Sequence, residues 1–185
     1  MQKLLSILML LTCSIVSSQN LNVYPLQLEK SVINWKGTYS FKFSEHTGTV
    51  QFKEGNLYTA NGNITGGDFV IDMTTISNED YLLDRGAVKH LRSDDFFDVE
   101  KYKEAKLYIN YVEYYSETNE HYFKGDLTIK GIKKPVEFYG TVDDQSKQMR
   151  ARLKIDRTRW GITYNHKLKD QAISDAIEFD VLLQF

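Results

Sequence analysis

The stretch Met149-Arg150-Ala151-Arg152-Leu153-Lys154-Ile155 alternates apolar with basic side chains from end to end. Successive side chains of a β-strand point to opposite faces of the sheet, so this period of two predicts a strand with one buried face. The same alternation recurs in residues 48–53, 67–73, 105–111, 123–130, 136–138 and 177–185. The sequence therefore predicts an all-β domain.

Turn-forming residues separate these segments, among them Asn61-Gly62, Lys130-Gly131 and Asp143-Asp144. Because several of the gaps are short, neighbouring strands are expected to pair as antiparallel hairpins. About eight such strands favour a closed sheet, since closure removes exposed edges. A barrel of this size encloses an interior that side chains fill or that holds one small ligand.

One stretch has helical periodicity instead. Asn78 can cap a helix, and apolar residues then recur at helical spacing as far as Leu91. Gly86 weakens this helix. We therefore predict a short helical insertion near residues 78–98.

Two adjacent aromatic residues, Phe96 and Phe97, end the polar run Leu91-Arg92-Ser93-Asp94-Asp95. Exposed rings are costly, so the pair is expected to line or close something that the strands build. The alternative is a hydrophobic staple that holds this loop down. The first interpretation favours a container over a catalyst.

The first residues resemble a secretion signal. Lys3 precedes an apolar stretch that is too short to span a membrane comfortably, and Val16-Ser17-Ser18 suits cleavage before Gln19. We predict a cleaved signal peptide at residues 1–18, a lead-in at 19–30 and a single barrel domain at 31–185, in a periplasmic or secreted protein. Lipidation of Cys13 is the alternative, which the large preceding residue disfavours.

Charge and motifs narrow the function classes. The chain has 23 basic and 25 acidic side chains, which argues against nucleic acid as the main partner, and we expect no stable membrane insertion. The histidines lack close metal-ligand spacing, and neither a Gly-x-Ser-x-Gly elbow nor a P-loop occurs. We therefore predict no catalytic residue, no metal and no cofactor.

In six segments the chain resembles the YceI family of bacterial polyisoprenoid-binding, lipocalin-like barrels. The matching segments stand in the family's order: Ser31-Val32-Ile33-Asn34-Trp35-Lys36-Gly37, His46-Thr47-Gly48-Thr49-Val50, Gly66-Gly67-Asp68-Phe69-Val70-Ile71-Asp72-Met73, Leu91-Arg92-Ser93-Asp94-Asp95-Phe96-Phe97-Asp98-Val99, Gly125-Asp126-Leu127-Thr128-Ile129-Lys130-Gly131 and Asp156-Arg157-Thr158-Arg159-Trp160-Gly161-Ile162.

The resemblance implies an elongated, eight-stranded antiparallel barrel with an apolar tunnel that holds an isoprenoid chain or another long amphiphile. The chain departs from the family near Lys103, where a proline is frequent, and at Trp160, where phenylalanine is common. Trp160 is expected to narrow the cavity.

The apolar positions of the alternating strands are the candidate ligand-binding residues; the alternative is that they simply fill the barrel. They are Phe52, Phe69, Ile71, Met73, Leu107, Ile109, Leu127, Ile129, Phe138, Leu153, Ile155 and Phe179, joined by Phe96 and Phe97. Trp160 and Tyr164 suit a cavity mouth, with a core anchor as the alternative for Trp160. His46 follows the resemblance as a contact for a head group, with a surface or capping role as its alternative. Asp156 and Arg157 are expected to form a structural ion pair or to meet a head group.

Three functions follow from these observations. The first is a carrier or store of a long-chain isoprenoid or fatty amphiphile. The second is a lipid-modifying or redox enzyme that uses the same cavity and would need a polar, pKa-shifted cluster inside the barrel. The third is a filled barrel that acts through its surface. An empty interior would distinguish the carrier from the filled barrel. The sequence is also compatible with a homodimer.

Overall fold

A computed structural model describes residues 20–39, 45–78, 86–163 and 173–185. The predicted signal peptide, Cys13, the first part of the predicted helix, Tyr164 and His166 lie outside the described residues.

Nine strands and one short helix make up the described chain. The strands are β1 (Leu21–Pro25), β2 (Val32–Tyr39), β3 (Glu45–Ala60), β4 (Asn63–Ser77), β5 (Glu104–Tyr115), β6 (Glu120–Ile129), β7 (Ile132–Asp143), β8 (Gln148–Asp156) and β9 (Ile173–Gln184). Helix α1 (Gly86–Arg92) lies in the β4–β5 connection, inside the predicted helical insertion. Single 3-10 turns occupy Leu28–Lys30 and Arg157–Trp160.

Strands β2 to β9 form a closed antiparallel barrel. Their order is β3-β2-β9-β8-β7-β6-β5-β4, and β4 pairs back onto β3 to close the ring. The prediction of an eight-stranded antiparallel barrel with a short helical insertion is confirmed. Because the sheet is closed, each of these eight strands pairs with a neighbour on both sides along at least part of its length.

Strand β1 extends the barrel wall beyond β2. It pairs with the last part of β3, from Leu21 opposite Ala60 to Pro25 opposite Asn56, while β2 pairs with the first part of the same strand. Leu26, which follows β1, is buried in the core. The segment predicted as a lead-in thus supplies a strand and a core residue.

The antiparallel order sorts the connections to two ends of the barrel. The β2–β3, β4–β5, β6–β7 and β8–β9 connections lie at the end that carries α1, which we call the helix end. The β3–β4, β5–β6 and β7–β8 turns lie at the opposite end. Two of the predicted turns are tight: Asn61-Gly62 and Lys130-Gly131 have positive φ at both residues, as type I′ hairpin turns require.

Candidate functional site

The barrel interior is not filled. A cavity of about 460 Å³ lies along it. Close-packed protein interiors leave few voids larger than a water molecule, so a space of this size is unusual for a solid core. It falls within the range of about 300–1,000 Å³ that small-molecule sites occupy.

Most of the predicted ligand-binding residues line this cavity. The inward positions of the alternating strands meet there because a closed sheet turns one face of every strand toward the axis. The predicted residues in the wall are Phe52, Phe69, Ile71, Met73, Leu107, Ile109, Leu127, Ile129, Phe138, Leu153, Phe179, Phe96, Phe97 and His46.

Trp160 and Ile155 are placed elsewhere. Trp160 is fully buried, and its Nε1 donates a hydrogen bond to the carbonyl oxygen of Leu127 at 3.1 Å. This bond fastens the Arg157–Trp160 turn to β6 outside the cavity wall, so the indole does not line or narrow the cavity. Ile155 lies in the packed core just before that turn and is also outside the wall.

Other wall residues were not among the predicted ones. Several of them belong to alternating strands already recognised, and Ile33 and Trp35 come from β2, where they alternate with Asn34 and Lys36. The additional wall residues are Ile33, Trp35, Gly37, Thr38, Val50, Ile76, His90, Leu91, Ala105, Met149, Ala151, Ile177, Val181 and Leu183.

Trp35 fits into the wall because a glycine faces it. A Cβ on Gly48 would lie 1.9 Å from the carbonyl oxygen of Ser77 and 2.6 Å from the Trp35 ring, so only glycine allows this close approach. The Trp35 Nε1 donates to the carbonyl oxygen of Ser77 at 3.2 Å. With its N–H bonded to the β4 backbone, the indole can present carbon atoms to the cavity.

Phe96 and Phe97 form the wall at the helix end. Their rings meet edge to face at a centroid distance of 4.9 Å, and both are buried. Backbone hydrogen bonds hold the turn that carries them, with the Phe97 N–H donating to the Leu91 carbonyl oxygen at 3.1 Å and the Asp98 N–H to that of Ser93 at 2.7 Å. The two buried rings therefore line the cavity and also anchor this segment to the barrel.

Arg157 anchors the same end of the barrel. It is 1% exposed, its Nη2 pairs with Asp175 at 2.9 Å, and its Nη1 donates to the Ile162 carbonyl oxygen at 2.5 Å. Burial lowers its pKa and Asp175 acts in the opposite direction, but a guanidinium stays protonated in proteins. Asp156 accepts the Thr158 N–H at 2.9 Å and caps the turn, and its charge attracts the Arg157 guanidinium. Among the described residues, the ion pair of Arg157 within 4.0 Å is the one with Asp175.

The polar residues of the wall come from one end of the barrel. Thr38, His46 and His90 all come from segments at the helix end, whereas the rest of the wall presents apolar side chains and glycine backbone, apart from the bonded Trp35 N–H. This arrangement gives the cavity one polar end and a long apolar body. Within the described residues, no group of three or more His, Cys, Asp or Glu side chains could hold a metal ion. No described helix is both long and apolar enough to cross a membrane.

Solved structures with the same fold are similar to this chain. Burkholderia cenocepacia BcnA superposes with a TM-score of 0.68 at 18% sequence identity, over 85% of this chain and 98% of that one. The Campylobacter jejuni YceI protein superposes with a TM-score of 0.54 at 17% identity, over 80% of this chain and 90% of that one. At these identities the likeness shows the fold.

Sequence relatives point the same way. A UPF0312 protein of Pseudomonas putida strain W619 is 30% identical over 119 residues, which are 64% of this chain and 60% of that protein. A UPF0312 protein of Photorhabdus laumondii is 48% identical over 48 residues, 26% of this chain and 24% of that protein. The chain thus spans at most about 60% of the length of these curated relatives, which are named UPF0312 proteins and not as enzymes. The model of the YceI-like domain matches residues 24–185, and the chain belongs to that family.

Proposed function

We propose that the protein holds a long-chain amphiphile in its barrel cavity, as a carrier or store in the periplasm or outside the cell. The ligand class is a polyisoprenoid, an isoprenoid quinone or a fatty-acid derivative. The observation that carries the proposal is the apolar cavity of about 460 Å³ that the side chains leave unfilled, because a barrel that acted only through its surface would gain stability from filling it.

The distribution of polarity supports an amphiphile over a purely apolar guest. An apolar chain against the aromatic and aliphatic wall gains about 25 cal/mol for each Å² removed from water. A head group at the helix end would meet Thr38, His46 and His90, which can form hydrogen bonds. The signal-like start of the chain supports export across the inner membrane.

The decisive experiment is native mass spectrometry with organic extraction on the protein purified gently from its own cells. A stoichiometric long-chain adduct supports the carrier function and identifies the ligand class. A bare mass that persists under gentle conditions, together with failure to bind the fluorescent fatty acid cis-parinarate, contradicts the proposal.

A cavity-filling variant makes the test specific. Ala151 lines the cavity, so Ala151→Phe should reduce the adduct and the cis-parinarate signal. Thr141 on β7 is exposed and makes a matched control, because Thr141→Phe adds the same ring outside the barrel. Circular dichroism checks that both variants keep the β-sheet signal. Equal binding by the two variants would place the bound molecule outside the cavity.

A further inference from the structure

Most cations along the sides of the barrel are paired with carboxylates, although Arg150 on β8 has no carboxylate within 4.0 Å among the described residues. Glu178 forms ion pairs with both Lys36 and Lys154, at 2.8 Å and 2.9 Å. The other pairs follow the same cross-strand or local pattern: Lys53 and Lys106 with Glu104, Lys124 with Glu137, Arg152 with Asp180 and Lys147 with Asp144. These charges largely cancel along the sides of the barrel.

The helix end is different. Lys101, Lys130, Lys133, Lys134 and Arg159, which we call the basic rim, have no carboxylate within 4.0 Å in the part of the chain that the structure describes. Where they make hydrogen bonds, the acceptors are carbonyl oxygens: Lys130 donates to that of Asp94 at 3.1 Å and Arg159 to that of Pro135 at 2.8 Å. Carbonyl oxygens carry no net charge, so these hydrogen bonds do not neutralise the cations. The charge of Arg159 does attract the Asp156 carboxylate, without an ion pair within 4.0 Å among the described residues.

An apolar tip lies among these cations. Ile132 follows the Lys130-Gly131 turn directly and is 38% exposed. Its Cδ1 comes within 3.6 Å of the position a Cβ on Gly161 would take, so the Arg157–Trp160 turn supports it from one side. Acidic residues also lie at this end: Asp94 and Glu100 in the β4–β5 connection, which also carries Lys101, and Asp156 just before the Arg157–Trp160 turn. The β6–β7 turn itself presents only lysines around the isoleucine.

We propose that the basic rim and Ile132 dock the helix end of the barrel onto an anionic lipid bilayer. The inference rests on the proposed function, because a long-chain amphiphile resides in membranes and the cavity extends to this same end. Each basic side chain close to an anionic membrane surface raises affinity about fivefold. An exposed aliphatic tip suits the interface between head groups and acyl chains, a feature that a nucleic-acid site would not need.

Vesicle flotation tests the proposal. Purified protein is mixed with vesicles of phosphatidylcholine alone or with 30% phosphatidylglycerol, at low and at high salt. We expect binding to the anionic vesicles at low salt, with a loss of binding at high salt because ions screen exposed charges. The side chains of Lys101 and Lys133 are exposed and donate no hydrogen bond within the described residues. The double charge reversal Lys101→Glu/Lys133→Glu should therefore weaken binding at least 25-fold with the fold retained.

The matched control is Lys30→Glu/Arg150→Glu. Both cations are exposed, lie toward the opposite end of the barrel, and have no carboxylate within 4.0 Å in the described part of the chain, so the net charge change is the same. It should weaken flotation much less. An equal loss in the two double variants, or no anionic-vesicle binding by the unmodified protein, would overturn the docking proposal.

A second variant tests the apolar tip. Ile132→Ser should reduce flotation several-fold while the remaining binding keeps its salt dependence, since the lysines are unchanged. Binding that is unaffected by Ile132→Ser would overturn the bilayer interpretation in favour of a general polyanion site. The cis-parinarate titration keeps the two proposals apart: uptake without flotation overturns docking alone, and flotation without uptake overturns the cavity function alone.

Discussion

The guanidinium of Arg157 lies over the ring of Phe96, 5.6 Å from its centroid, and each side chain is 1% exposed. The same guanidinium donates to carbonyl oxygens of Ile162 and Ser174 and pairs with Asp175. One buried cation therefore ties the turn after β8 to the start of β9 and to the aromatic wall of the cavity. It stabilises the helix end of the barrel.

Replacement of this side chain should be strongly destabilising. We expect Arg157→Ala to lower the free energy of unfolding by about 3 kcal/mol or more, because it leaves a void and unpaired buried carbonyl groups. Urea denaturation measures the change. Arg152→Ala is the control, since its ion pair with Asp180 is 89% exposed on the arginine side and should contribute little. Similar losses in both variants would contradict the anchoring role.

The period-two pattern predicts most of the cavity wall. In a regular strand, residues two apart face the same side of the sheet, so the face of a residue depends only on whether its position is odd or even. The pattern fails where the backbone breaks parity. In β3 the register with β4 shifts between Phe52 and Glu54, so Phe52 and Gly55 are both buried although they lie an odd number of residues apart. Such bulges have no clear signal in a single sequence.

The sequence leaves open whether Trp160 lies at the cavity mouth or anchors the core, for a different reason, and the structure shows the core anchor. Its place depends on a hydrogen bond to Leu127, 33 residues away, and on the capping of the preceding turn by Asp156. Local periodicity carries no information about either contact. The same holds for Arg157, whose partner Asp175 is separated from it by residues outside any strand pattern.

Trp160→Phe should reduce stability and leave ligand binding unchanged. The substitution removes the Nε1 donor and leaves the Leu127 carbonyl oxygen without it, at a cost of about 1–3 kcal/mol in the free energy of unfolding. The cavity wall does not include the indole, so cis-parinarate affinity should stay the same. Weaker probe binding with unchanged stability would show that Trp160 lines the cavity after all.

A charge on the inner face should abolish uptake. Ile129 lines the cavity and is 5% exposed, so Ile129→Glu places a carboxylate among apolar side chains and should prevent either folding or probe binding. Its neighbour Thr128 points outward between Lys106 and Lys133, and Thr128→Glu should change little. Circular dichroism and the cis-parinarate titration distinguish the two effects. The inward assignment of this strand fails if both variants behave alike.

Acid sensitivity should depend on Glu178. Hydrogen bonds and charge from Lys36 and Lys154 lower the pKa of this carboxyl from 4.5 to about 2. A carboxyl with a depressed pKa in the folded state binds protons more weakly there than in the unfolded chain, so its stabilising contribution is full above about pH 4.5. That contribution decreases as the pH falls toward 2. In Glu178→Gln the group cannot titrate, and the stability difference from the unmodified protein should shrink over this range.

Urea midpoints at pH 6, 4 and 3 measure this stability difference. Glu117→Gln in the β5–β6 turn is the control, because Glu117 has no ion pair within the described residues. A difference that stays constant from pH 6 to pH 3 would show that the paired lysines do not stabilise the charged form of Glu178.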